Sequence, residues 1–319
     1  MIAPEILIGL GLAFALITGT NDGGALLAPG LRVPGLRLLP ALVILTVATA
    51  VIPLVTAAPV AHTLTSTIVP PGQSGSLALL VAFVSAVVVV WLLTRRGLPT
   101  SLTLAVIGAT AGAGAGLGLA VAWPALTVVL IVAALAPFVG LGLALAGSTL
   151  FNTRRDSAYL PVMRRGHLVA FTAQCIAYGA NDGQKILVLL LAAGLAHPDG
   201  RLSWWWYLAL GLAFAIGTAL GLPRIARSVG TGILHTSPAH IVTAEFAAAG
   251  AVLGSAALGA PVSMTQAIIG GLLGAGLRES YRRIRWKVVR GLGLAWLVTL
   301  PLAFTVAALG GYVTAAVLG

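Results

Sequence analysis

Long apolar runs recur from one end of the chain to the other, and the polar positions between them fall in short connections. Ten segments stand out, at about 3–29, 38–60, 76–94, 98–118, 122–147, 167–195, 204–221, 240–258, 260–277 and 288–317. Most are close to or above the ~20 residues a helix needs to cross a hydrocarbon core. The period-two alternation of a membrane β-barrel is too weak along them. The pattern predicts an all-α integral membrane protein of about ten hydrophobic segments. The opening MIAPEILIGLGLAF carries Glu5 and no basic stretch, so it is expected to be the first spanning segment rather than a cleaved leader.

Charge adds orientation to this picture. Only 8% of the residues are charged, against roughly 25% in an ordinary globular protein. The net charge of +11 is confined almost entirely to alternate connections. Arg32, Arg37, Arg95, Arg96, Arg154, Arg155, Arg164, Arg165, Arg224, Arg227, Arg278, Arg282, Arg283, Arg285, Lys287 and Arg290, 16 of 18 basic residues, lie on odd-numbered connections. By the positive-inside rule those connections are cytoplasmic, and both termini are expected outside a multi-pass protein of the cell membrane. The basic balance is thus a topology signal, and nucleic acid is not expected as a partner. Cys175 is the only cysteine, which excludes an intrachain disulfide or a cysteine metal cluster.

The chain also repeats itself. TGTNDGG at 18–24 answers YGANDGQ at 178–184, an offset of 178 − 18 = 160. GLPTSLTLAVIGATAGAG at 97–114 answers GAPVSMTQAIIGGLLGAG at 259–276, an offset of 162, with nine identities in the sixteen positions from Pro99/Pro261 onward. A third echo pairs Pro137 with Pro301. Two halves, 1–147 and 166–319, are expected to flank a basic cytoplasmic linker at 148–165. Five segments per half is an odd number of crossings, so the second half enters from the opposite side. Inverted-topology repeats of this kind are typical of secondary transporters, whose sites lie near mid-membrane on interrupted helices.

Asp22, Asp182 and Glu245 lie within apolar segments, where an ionisable group costs several kcal/mol unless paired or hydrated. Asp22 and Asp182 occupy equivalent positions, each after an asparagine and among glycines. Glycine permits unwound backbone, and exposed carbonyls with Asn and Asp oxygens would suit Na⁺. The competing reading is a symmetric helix–helix hydrogen bond. PTSLT and PVSMT place proline ahead of two hydroxyls and an apolar helix. That is either a plain helix cap or an anion site at a helix N-terminus. Helix rise puts Asn21 about 16 Å from Arg32, near mid-membrane. Ser101, five residues from Arg96, reaches that depth only if segments three–four and eight–nine are re-entrant hairpins or partly unwound.

Together these motifs resemble the inorganic phosphate transporter (PiT) family. GANDGQK is similar to its second-half signature, TGTNDGG to the first-half counterpart, and GLPTSLT and GAPVSMT to its paired Gly-x-Pro-Val-Ser-Thr-Thr-His elements. EFAAAGAVLGSAALGAPVS and GLGLAWLVTLPLAF are similar to the segments around them. The resemblance implies phosphate uptake by Na⁺ or H⁺ symport, with no cofactor. Asn21, Asp22, Asn181 and Asp182 would then bind coupling cations, with Na⁺ a candidate at the Asn-Asp pairs, aided by Gln184. Ser101, Thr103, Ser263 and Thr265, with Asp22 and Asp182, would line the phosphate site. Lys185 matches a signature lysine whose role is open: anion attraction, or a pair with Asp182 or Glu245. The elements depart from the family pattern, reading Ser-Leu-Thr-Leu at 101–104 and Ser-Met-Thr-Gln at 263–266, which keeps sulfate or another tetrahedral oxyanion as an alternative substrate.

The expected partners are the oxyanion, the cation and the lipid bilayer, with self-association left open. A membrane enzyme or a channel is the alternative from another class. His62, His167, His197, His235 and His240 sit mostly at connections, and no metalloprotease, nucleophile-elbow or P-loop pattern is present. No enzyme activity is therefore expected.

Overall fold

A computed structural model describes residues 3–56, 59–96, 100–151, 159–226, 233–234 and 236–318. Helix α1 (Pro4–Thr18) runs through a π-helical turn at Gly19–Gly23 into α2 (Gly24–Gly30). Helix α3 (Leu38–Val55) is followed by the short α4 (Pro59–His62) and a second π turn, Thr63–Thr67. Then come α5 (Gln73–Arg95), α6 (Leu102–Gly116) and α7 (Trp123–Phe151). The remaining helices follow in the second half. Helix α8 (Tyr159–Tyr178) passes through a π turn at Gly179–Gly183 into α9 (Gln184–Ala192), followed by α10 (Trp204–Ile225), α11 (Pro238–Ala257), α12 (Met264–Glu279) and α13 (Trp286–Leu318). No strand occurs among the described residues.

Among the described residues, seven helical stretches are long and apolar enough to cross a membrane: Pro4–Gly30, Leu38–Val55, Gln73–Arg95, Trp123–Thr149, Trp204–Ile225, Pro238–Ala257 and Trp286–Leu318. The α8–α9 stretch falls outside this set. Helices α6 and α12 have 15 and 16 residues, about 23 Å of helix against a core of about 30 Å. Helices α5 and α11 are long enough to cross, and each is followed by one of these shorter helices. The stretch 148–165, expected to be a linker, is helical at both ends, in α7 to Phe151 and in α8 from Tyr159. Arg154, Arg155, Arg227, His235 and the Pro99 of the repeated motif lie outside the described residues.

The halves are interwoven. Helix α6 packs along α13, and α12 along α7. The first Asn-Asp turn lies on α10, and its counterpart lies on α3. Glycine makes these crossings close. A Cβ on Gly19 would strike the Phe214 carbonyl, and one on Gly179 the Ala48 carbonyl. Likewise Gly108 sits on the Leu300 carbonyl and Gly270 on that of Pro137. Close approach of backbones through small residues is the usual driving interaction between helices in lipid, where apolar burial gains little. Each half thus supplies the surface that the other half's mid-helix turn needs.

Candidate transport site

Both Asn-Asp pairs sit in π turns, and this corrects the expectation of unwound backbone. The residues bounding the first turn, Thr18 and Gly24, are right-handed helical, with φ −57° and −63°. A π turn adds one residue to the helix and offsets the side chains that follow. The glycines in it serve helix contact rather than unusual dihedrals.

Each asparagine grips the entry to the short helix of its own half. Asn21 Nδ2 donates to the Thr100 carbonyl at 2.9 Å, and its Oδ1 accepts from the Thr100 N–H at 3.1 Å and from Thr94 Oγ1 at 3.1 Å. Asn181 Nδ2 donates to the Ala260 carbonyl at 3.0 Å and to Ser255 Oγ at 3.4 Å, while its Oδ1 accepts from the Val262 N–H at 3.2 Å. Thr94 precedes Arg95, so Asn21 lies closer to the basic face than a straight count along α2 implies. Ser101, one residue beyond Thr100, is fully buried.

Asp22 is held partly by the opposite half, and Asp182 by Lys185 of its own half. Asp22, 2% exposed, accepts from Asn21 Nδ2 at 2.6 Å, from Thr265 Oγ1 at 3.0 Å and from the Tyr178 hydroxyl at 3.4 Å. Asp182 Oδ1 accepts from Lys185 Nζ at 2.6 Å, and its Oδ2 has no partner. Lys185 Nζ also donates to Thr103 Oγ1 and to the Val262 carbonyl, both at 2.6 Å. Of the open roles for Lys185, the structure therefore realises the pair with Asp182. Thr103 Oγ1 donates in turn to the Val262 carbonyl at 2.8 Å. The site is a crossed pair, Thr265 on Asp22 and Thr103 on the Lys185 ammonium.

Ser101 Oγ accepts from the Leu104 N–H at 3.2 Å and Ser263 Oγ from the Gln266 N–H at 3.4 Å, so both serines are helix caps. Capping uses a lone pair and leaves the hydroxyl proton free to donate. Gln184 bonds back to the second turn, its Nε2 donating to the Ala180 carbonyl at 2.7 Å. Its Oε1 accepts from the Val60 and Ala61 N–H groups, at 2.8 and 3.3 Å, and caps the start of α4. Gln266, where the family pattern has histidine, is buried with Oε1 unpartnered.

Two further polar residues belong to this interior. Glu245 pairs not with Lys185 but with His167, Nε2 to Oε1 at 3.1 Å, both nearly fully buried. His167 opens the sixth apolar run, and helix α8 begins earlier and carries it inside. Gln174, one turn before Tyr178, is buried with both amide atoms unpartnered. A lone Gln in a mixed segment carries no motif, so nothing in the sequence marks it. No cluster of three or more acidic, His or Cys side chains fit for a transition metal occurs among the described residues.

A model of the phosphate transporter family matches residues 151–307, which include the second Asn-Asp turn and both helices that follow it. Over 98% of its length the chain is 27% identical to a probable low-affinity inorganic phosphate transporter of Bacillus subtilis, covering 97% of that protein. The chain belongs to the phosphate transporter family. Two other members of the family are a probable low-affinity inorganic phosphate transporter of Mycobacterium tuberculosis, 31% identical over 70% of this chain and 57% of that one, and one of Rhizobium meliloti, 28% identical over 78% of each. A solved structure titled as the sodium-dependent phosphate transporter shares the fold at a TM-score of 0.84, with 18% identity, over 99% of this chain and all of that one. Family members are transporters, which removes the membrane-enzyme alternative.

Proposed function

We propose that the protein imports inorganic phosphate across the cell membrane by symport with Na⁺ or H⁺. In this reading the two halves are inverted repeats with both termini outside. Asn21, Asp22, Asn181 and Asp182 form the cation region, and the N-terminal turns of α6 and α12 receive the anion through Ser101, Thr103, Ser263 and Thr265. The observation that carries the reading is the crossed pairing, with Thr265 of one half on Asp22 of the other at 3.0 Å. A cation arriving at Asp22 competes for the oxygen that holds Thr265, and so changes the hydroxyl presented to an oxyanion. That shared contact is a coupling between two sites, and coupling of this kind is reciprocal. Free N–H groups and the dipole at a helix N-terminus favour an anion beside it.

Coupling is needed because an inside-negative membrane opposes an anion by about 2.3 kcal/mol per charge per 100 mV. Uptake of labelled phosphate and labelled sulfate into proteoliposomes, under separately imposed Na⁺ and pH gradients, tests substrate and cation together. Phosphate accumulation that collapses with one gradient supports the reading, and accumulation of sulfate alone transfers it to that oxyanion. Gradient-independent, non-saturating flux would instead mark a channel.

Replacing Ser101 and Ser263 by alanine removes two caps and two hydroxyl donors. We expect each substitution to cost about 1 kcal/mol of stability and the pair to raise the half-saturating phosphate concentration about tenfold. An unchanged value would reduce both serines to caps. Orientation has its own check. In a background with the buried Cys175 replaced, cysteine at the exposed position 283 or at position 155 should react with an impermeant maleimide only from the cytoplasmic side. Reaction from outside would reverse the topology.

A further inference from the structure

The two Asn-Asp turns are alike in sequence and packing but differ in charge. Asp182 has a lysine three residues later, and its ammonium reaches the carboxylate at 2.6 Å. The equivalent first-half position, 185 − 160 = 25, is Ala25. Among the described residues no Lys, Arg or His forms an ion pair with Asp22; its direct contacts are hydrogen bonds, and the Lys185 charge acts on it from beyond contact distance. Lys185 is fully buried, and its three contacts are Asp182 Oδ1, Thr103 Oγ1 and the Val262 carbonyl. An ammonium has three protons to donate, so none remains for an oxyanion. Three oxygens at 2.6 Å around a buried positive charge make the environment a bound cation would have. The crossed threonines fit the same equivalence: Thr103 meets Lys185, and Thr265 meets Asp22.

We propose that Lys185 is a tethered cation, filling at Asp182 the position that a mobile coupling cation takes at Asp22, so that each cycle carries one mobile cation. The inference rests on the symport reading and narrows it, since two symmetric aspartates would by themselves suggest two. Its consequence is electrical. One cation moving with monovalent phosphate carries no net charge, and two would carry one positive charge inward.

The test is steady-state phosphate accumulation in proteoliposomes at acidic pH, where the monovalent anion dominates, with the cation gradient fixed and the potential set by K⁺ and valinomycin. A one-charge cycle changes the accumulation ratio about 50-fold per 100 mV. Wild-type accumulation is expected to stay constant, and a shift of that size in wild type defeats the inference without any variant. Lys185→Met should make accumulation follow the potential and steepen the cation dependence from an apparent Hill coefficient of about 1 towards 2. Lys185→Arg, which keeps the charge, should retain the wild-type electrical behaviour. A Lys185→Met protein that transports as wild type does would equally defeat it.

Binding separates this inference from the transport reading. Thermal stabilisation of the purified protein, followed against Na⁺ concentration and against pH, should show one cation midpoint that is lost in Asp22→Asn, and a second midpoint should appear in Lys185→Met. That result upholds the tethered cation even in a protein that moves no phosphate. Two midpoints in wild type reject it even where phosphate is carried.

Discussion

Asp22→Asn is expected to abolish coupled uptake, lowering the initial rate at least ~100-fold, while the protein remains in the membrane at its normal level. The carboxylate is 2% exposed and accepts three hydrogen bonds, from Asn21, Thr265 and Tyr178. None of these donors carries a charge, and the Lys185 ammonium is in contact with Asp182 instead, which leaves the Asp22 carboxylate open to direct contact with an arriving cation. Asparagine keeps the size and one acceptor oxygen, which preserves the packing, but it removes the attraction for a cation. The Thr265 hydroxyl would then be held with or without a cation, and the link between cation and oxyanion is lost. Initial-rate uptake, normalised to the protein detected in the membrane fraction, is the measurement. Near-wild-type uptake would remove Asp22 from the mechanism.

Gly19→Val should have a comparably large effect by a different route. A Cβ at that position meets backbone of α10, the Phe214 carbonyl and the Thr218 nitrogen, the latter at 2.8 Å. Backbone cannot rotate aside as a flexible side chain can, so helix α10 would have to move away from the Asn-Asp turn. Overpacking of this kind costs about 3 kcal/mol or more, read as a fall of roughly ten degrees in melting temperature or as loss of monodisperse protein. Gly179→Val should behave alike, since its Cβ meets the Ala48 carbonyl and Ile52 Cβ, the latter at 2.9 Å. Gly9→Val provides the control: nothing lies within 4 Å of a Cβ there, and near-neutral behaviour is expected. Equal tolerance at positions 9, 19 and 179 would show that these glycines do not set the helix crossing.

Membrane residence, the helical class and the twinned Asn-Asp and Ser-x-Thr elements were all legible in the chain. They depend on composition and spacing, which are properties of sequence alone. Twenty apolar residues in a row have few places to go except lipid, and a repeated motif is visible without coordinates. Segment count was less secure. Hydropathy sees α6 as part of a run from 98 to 118, while the structure limits the helix to Leu102–Gly116 and places its capped start beside Asn21 through Thr100.

Partnership was decided only by the tertiary structure. Lys185 had three candidate roles in the sequence, and packing selected Asp182, leaving Glu245 to His167. Gln184 lies two residues beyond Asp182, and its side chain reaches both the α4 backbone and the Ala180 carbonyl. Glycines that suggested unwinding instead sit in π turns, pressed against helices of the other half. The physical reason is common to these cases. Which polar atoms meet inside a membrane protein depends on how helices distant in sequence cross, and crossing is set by small-residue contacts between backbones. Periodicity along one chain records which face of a helix is apolar, but not which helix will lie against it.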